Sequence, residues 1–172
     1  LRLVGSEMCI RDRCQVGIVL NVDPTALFPE HNISDEDQLF AVVRTQVDVV
    51  LPTGSSILNA DDPIVVKMAE LSKGEVIYFS EESQNALISK HQQQNGRFII
   101  ATPKTVTLKQ GYENVDVFEV PASIQNHLNP EWKPHLCLAA AIGAAWALQI
   151  PLNIIQAGVE TFVPDATTIT GA

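Results

Sequence analysis

Residues 15–22, QVGIVLNV, form a nearly continuous apolar run. A run of this length without polar alternation is the signature of a β-strand covered on both faces, as in parallel sheets walled by helices. The next eighty residues repeat the theme. Asp23, Pro24 and Thr25 break the run. Ser34 offers an N-cap, with Asp35, Glu36 and Asp37 in the first turn, and a helix to about Val49 should bury Leu39, Val42, Val43 and Val50. Leu51–Ser55 (LPTGS) reads as turn chemistry, and Ser56–Asn59 as a short second strand. Asp62 caps a helix that starts on Pro63, where proline forfeits no hydrogen bond, and Gly74 closes it. Glu75–Ser80 is a third strand and Asn85–Gln94 a polar helix ended by Gly96. Strand–helix alternation of this kind builds a layered α/β sheet with right-handed crossovers.

After Gly96 the pattern changes. Residues 97–102, 105–109 and 115–120 are short strands, the last two joined through Gly111, which predicts an antiparallel extension. Residues 126–134 read as a polar loop. A small-residue helix over 134–148 and an amphipathic one over 152–162, with Ile155, Val159 and Phe162 on one face, complete the pattern. The fold class is therefore α/β, a mainly parallel sheet flanked by helices with a short antiparallel extension. Its 172 residues suit one domain that buries roughly 70% of its unfolded surface.

The first 13 residues, LRLVGSEMCIRDR, carry neither period. They read as a non-native leader resembling translated adapter sequence, to be set aside from the fold. The expected division is then a leader over 1–13, a domain incomplete at its ends over 14–163, and a linker over 164–172 towards a further domain. Twenty acidic against eleven basic residues give a net charge of −9, which opposes non-specific nucleic-acid binding. No apolar run reaches the roughly 20 residues needed to span a bilayer, so no membrane partner is expected. Cys9, Cys14 and Cys137 lack metal-ligand spacing and fit reduced thiols in a cytoplasmic protein.

Three ordered stretches, DRCQVGIVLNVDP, RTQVDVVLPTGSSILNADDP and AAAIGAAWALQIPLNIIQAGVETFVPD, resemble the central domain of Mur-type ligases. More narrowly they resemble the branch that joins arginine to aspartate side chains of a poly-aspartate backbone. The resemblance spans roughly Asp12 to Asp165. It implies ATP and Mg²⁺, a carboxylate activated as acyl phosphate, an amino-acid or aspartate/arginine polymer substrate, and a homo-oligomeric longer protein. Phosphoryl-transfer chemistry of this type rests on donors and metal that stabilise the transferred group and keep water from the intermediate.

Candidate residues are drawn from strand ends, where ligands of open α/β sheets bind. The resemblance puts Asn59 near the adenine, where an amide can donate and accept; the alternative is an Asn closing the strand turn. Asp61 meets ribose or structures the same loop. Asp62 is read first as a helix cap. Asn21 lies near the phosphates and Asp23 near Mg²⁺, since a carboxylate suits a hard cation; turn formation with Pro24 is the equal alternative for Asp23. Arg44 is a phosphate or carboxylate partner, or a solvated helix residue. His31, His127 and His135 read as structural or exposed, Trp146 as packing for the helix pair, and Trp132 carries no assigned role.

Departures from the family pattern are equally specific. Thr25 and Ala26 stand where an Asp-His pair is usual, Val43 and Arg44 where a metal-bridging lysine is usual. Leu136 and Cys137 lie near the place of an adenine-side asparagine. No G-x-x-x-x-G-K-[ST] phosphate loop occurs in the 172 residues, and the resemblance implies that it belongs upstream. The expectation is that this polypeptide alone neither binds ATP tightly nor turns over. A second reading is a Mur-like module that serves as scaffold, and a third is another Mur or folylpolyglutamate-type ligase.

Overall fold

A computed structural model describes residues 13–25, 27–127 and 133–163. The expected leader (apart from Arg13), Ala26, Trp132, most of the polar loop and the expected linker lie outside the described residues. Six strands form one sheet in sequential order: β1 Cys14–Val19, β2 Val50–Asn59, β3 Glu75–Ser80, β4 Arg97–Ala101, β5 Thr105–Gln110 and β6 Glu113–Glu119. β1 to β4 run parallel, and β5 and β6 extend the sheet antiparallel. The mixed sheet predicted from the apolar runs is the sheet observed.

The crossovers supply one face. α1 (Glu36–Val43) and α2 (Thr45–Asp48) join β1 to β2, α3 (Pro63–Met68) joins β2 to β3, and α4 (Ala86–Gln93) joins β3 to β4. Val19, Leu58, Tyr78, Phe98 and Ile100 pack there against Leu39, Val47, Val65, Met68 and Ile88. The alternate positions, Ile57, Ile77, Phe79 and Ile99, point to the opposite face. There they meet α5 (Ala122–His127), α6 (Pro134–Ala147) and α7 (Leu152–Thr161). α6 comes so close that a Cβ on Gly143 would lie 2.8 Å from Ile99 Cδ1, so glycine is what lets helix and sheet approach. Gly111, at φ +54°, turns the chain between β5 and β6.

Several local expectations change. β1 is buried on one face only: Gly17 and Val19 are covered, whereas Ile18 is 39% and Leu20 36% exposed. β1 lies at the edge of the sheet among the described residues, and α6 sits over its centre, so an apolar run alone overstated burial. Residues 51–55 belong to β2; its register against β1 jumps from Cys14↔Val50 to Val16↔Ser55, and Pro52 and Gly54 occupy that irregular stretch. The cap of α1 is Asp35, one residue later than expected. Its carboxylate accepts from the Gln38 amide at 2.8 Å, while Gln38 Oε1 accepts from the Ser34 amide at 2.7 Å. α1 also breaks at Arg44, and Val42 faces solvent at 51% exposure. α5 starts between the expected strand and the expected polar loop and ends inside the latter.

Trp146 is partly buried against the core, and the Arg97 guanidinium lies 4.7 Å from its ring centre. Arg97 also pairs through two nitrogens with Glu75, tying the start of β4 to the start of β3. No helix among the described residues is long and apolar enough to cross a membrane.

Candidate functional site

The parallel strands deliver their C-terminal ends to one edge of the sheet. There the chain leaving β1 and the corner after β2 are joined directly: the Val22 amide donates to Asp62 Oδ2 at 2.8 Å. Asp62 Oδ1 meanwhile accepts from the amides of Ile64 and Val65, so one carboxylate caps α3 and holds the end of the first strand. Asp61, its neighbour, accepts from Ser80 Oγ at 2.5 Å, the Glu81 amide at 2.7 Å and Asn85 Nδ2 at 3.3 Å. It thereby locks the turn after β2 to the turn after β3. Three tips are thus fixed relative to one another by two adjacent aspartates.

Between them lies a cavity of about 540 Å³, lined by Leu20 and Asn21 beyond β1, Asn59 and Asp61 at β2, Glu81 beyond β3, and Lys133 ahead of α6. Leu136 and Cys137, in the first turn of α6, complete the wall. A separate groove between α6 and α7 is apolar and has no polar chemistry to match.

Asn59 is only 7% exposed. Its Oδ1 accepts from the Asp61 amide at 2.9 Å, which fixes the orientation of the amide group. Nδ2 has no partner among the described residues and belongs to the cavity lining. Asn59 therefore presents donors to the cavity, where the sequence had suggested donor and acceptor together.

Two other lining residues, Glu81 and Lys133, belong to a cluster that sequence reasoning missed. Glu81 pairs with Lys133 Nζ through one oxygen and with His135 Nε2 at 2.7 Å through the other. Burial alone raises the Glu81 carboxyl pKa, but the hydrogen bonds and charges of Lys133 and His135 outweigh it and hold the group below its ordinary range. Lys133 adopts a left-handed backbone, φ 46°, as the residue before α6. The signal for Glu81 was present: it follows strand β3 just as Asn59 ends β2. Lys133 and His135 gave no such signal, because only tertiary folding brings them 52 and 54 residues along the chain to Glu81.

The remaining candidates fall elsewhere. Asp23 lies beyond β1 outside the cavity lining, and its Oδ1 accepts from the Thr25 hydroxyl at 2.7 Å and amide at 2.8 Å. Those two bonds hold the exposed carboxyl below its ordinary range. Asp23 makes the turn expected of it, and Oδ2 remains open. Arg44, at the α1–α2 break, pairs with Asp48 at 3.6 Å and is not among the cavity residues. No group of three or more His, Cys, Asp or Glu among the described residues is placed to hold a metal ion.

Comparison with known proteins decides the kinship. Cyanophycin synthetase of Synechocystis sp. is 32% identical over 171 residues, covering 93% of this chain and 18% of the relative. That of Crocosphaera subtropica is 32% identical over 163 residues, with the same two coverages. The chain is homologous to a segment of cyanophycin synthetases. It spans less than a fifth of their length. No family model matches. Among solved structures, MurF from Acinetobacter baumannii superposes with a TM-score of 0.57 at 18% identity, covering 89% of this chain and 30% of that one. The six-stranded sheet and its helices thus share the fold of a part of MurF. The cyanophycin synthetase kinship and the MurF-like fold both match the resemblance carried by the LNADDP corner and the small-residue helix pair.

Proposed function

We propose that this chain is the nucleotide-binding part of an ATP-dependent acid–amino acid ligase of the cyanophycin synthetase kind, and that the cavity at the strand tips takes the nucleoside half of ATP. One observation carries the reading. Asn59 is buried, locked by the Asp61 amide, and directs an unpartnered amide donor into a cavity at the carboxyl ends of parallel strands. The lining suits a nucleoside better than a phosphate: two carboxylates and one ammonium leave it without net positive charge. Apolar Leu20 and Leu136 supply surface for a base. Asp61 serves as the brace of this site, since three donors already occupy its oxygens.

For magnesium the fit is narrower. Asp23 is ionised, exposed and keeps one oxygen open, which suits an ion held mainly by phosphates and water through a single carboxylate. Asn21, at the same strand end and two residues before Asp23, lines the cavity. Bound ATP and Mg²⁺ supply the activation of a carboxylate as acyl phosphate. In the longer protein the acceptor is an aspartate side chain of a poly-aspartate backbone and the incoming amine is arginine's. This chain's own residues hold and orient the nucleoside end.

A second reading is a scaffold module that has given up the chemistry. Thr25 hydrogen-bonded to Asp23, and Arg44 paired with Asp48, favour it, because neither supplies a metal-bridging group. An NMR titration of the 172-residue chain with Mg-ATP at millimolar concentration separates the two. Shifts centred on Asn59, Asn21 and Glu81, lost in Asn59→Ala, are the expected outcome. A chain whose spectrum does not move at 10-fold excess nucleotide belongs to the scaffold reading.

A further inference from the structure

Asn59 Nδ2 offers a ligand a fixed donor beside the Lys133 ammonium, and the acceptors of the cavity can be sorted by what already occupies them. Asn59 Oδ1 is taken by the Asp61 amide. Asp61 Oδ1 is filled by Ser80 Oγ and Asn85 Nδ2, and Oδ2 accepts from the Glu81 amide, which leaves it a single open direction. The first turn of α6 contributes Leu136 and Cys137, neither of which carries a side-chain amide. Glu81 has more room. Each of its oxygens receives a single side-chain donor, one from Lys133 and one from His135, and a carboxylate oxygen can accept two. Its side chain is 30% exposed, so the open directions are reachable. Being gripped from both sides, it is already oriented. Asn21, a further open acceptor, sits on exposed chain beyond the end of β1, and no hydrogen bond holds its side chain among the described residues.

We propose that Glu81 is the residue that determines which base the cavity takes, by accepting a hydrogen bond from an exocyclic amine while Asn59 donates to the neighbouring ring nitrogen. A purine whose edge sets an amino group beside an acceptor nitrogen matches this pair. Lys133 and His135 act through Glu81: they keep it charged and aimed, and they tie the tip of β3 to the start of α6. The inference rests on the nucleotide reading above, and adds to it the residue that reads the base.

The test compares ATP with purine riboside 5′-triphosphate, which has the same ring, sugar and phosphates without the 6-amino group. Dissociation constants are measured by NMR titration of the 172-residue chain and of its Glu81→Ala and Glu81→Gln variants. The wild-type chain should bind the deaminated nucleotide roughly tenfold or more weakly, the effect of losing a hydrogen bond to a charged acceptor. In Glu81→Ala the two nucleotides should bind alike. Glu81→Gln, which keeps an uncharged acceptor oxygen, should fall between. Equal binding of both nucleotides to the wild-type chain overturns the proposal, while leaving the nucleotide reading standing, and needs no variant to fold. A tenfold ratio that survives in Glu81→Ala also overturns it, and assigns the amine to another acceptor such as Asn21. Failure of either nucleotide to bind removes both this proposal and the nucleotide reading.

Discussion

The two faces of the sheet are built from the same strands by different means. On one, four short helices come from the crossovers themselves, and three of them are capped close by in sequence: Asp35 for α1, Asp62 for α3 and Asn85 for α4. On the other, α6 arrives from far along the chain with no side-chain cap, and fits because small residues, Gly143 among them, let it lie close to Ile57 and Ile99. Local chemistry defines the first face and close packing the second. The candidate site sits where the two meet, since Asp61 and Asp62 belong to the crossovers while Lys133 and His135 belong to the start of α6.

The largest expected effect tests the packed face. Ile99 is fully buried beneath α6, and Ile99→Ala should cost about 2–5 kcal/mol through lost burial and the cavity left behind. Ile18 is also apolar and in a parallel strand, but it is 39% exposed at the sheet edge. Ile18→Ala should cost less than about 1 kcal/mol. Urea unfolding of both variants measures the difference. Similar losses would mean that β1 is covered in solution by something beyond the described residues, and the contrast within the sheet would break.

Next in size comes the local face. Asp62→Ala removes the cap of α3 and the acceptor of the Val22 amide together, for an expected loss of about 1–3 kcal/mol. Asp62→Asn, which keeps one acceptor oxygen, should recover part of it. Amide exchange at Val22 sharpens the point: it should rise in Asp62→Ala if the carboxylate really joins the two strand ends, and stay unchanged if its role is confined to the helix.

These differences explain what could be read from the residues alone. Strand runs such as EVIYFS and the Asp62–Pro63 helix start carry their own physics, because neighbouring residues satisfy them. The cap of α1 was misplaced by one because Ser34 and Asp35 are both good caps, and the choice depends on which geometry lets Gln38 return a hydrogen bond. Burial of β1 was overstated because an apolar run does not say whether a helix will cover it. For the candidate site, the rule about strand ends picked out Asn21, Asn59 and Asp61, which share one cavity. It could not supply Lys133 or His135, whose positions depend on the docking of α6. Nor could it place Arg44, which the α1–α2 break leaves beside Asp48.

The smallest expected effect separates the faces by pH. His91, on α4, is partly buried between elements of the crossover face; Nε2–H donates to the Arg97 carbonyl at 3.0 Å, and Tyr78 meets the ring edge-on. Burial holds its pKa below the ordinary value of 6.5, against smaller opposing contributions from the Arg97 carbonyl, Glu75 and the Val76 backbone. The folded chain therefore keeps His91 neutral where the unfolded chain takes up a proton. Its contribution to stability is fully present above the unfolded value, declines as pH falls from there towards the depressed folded value, and then levels off. His91→Gln should flatten that part of the stability curve, seen as the urea midpoint between about pH 7.5 and 5. Glu81 titrates in a different window. Its depressed pKa makes its contribution present above the ordinary carboxyl value of 4.5 and lost only as pH drops below it, so Glu81→Gln should leave the histidine segment of the curve alone. A change of slope near about pH 6 in Glu81→Gln would break that separation: the junction between the faces, held by the Glu81 contacts to Lys133 and His135, would then shape the pH response along with the crossover face.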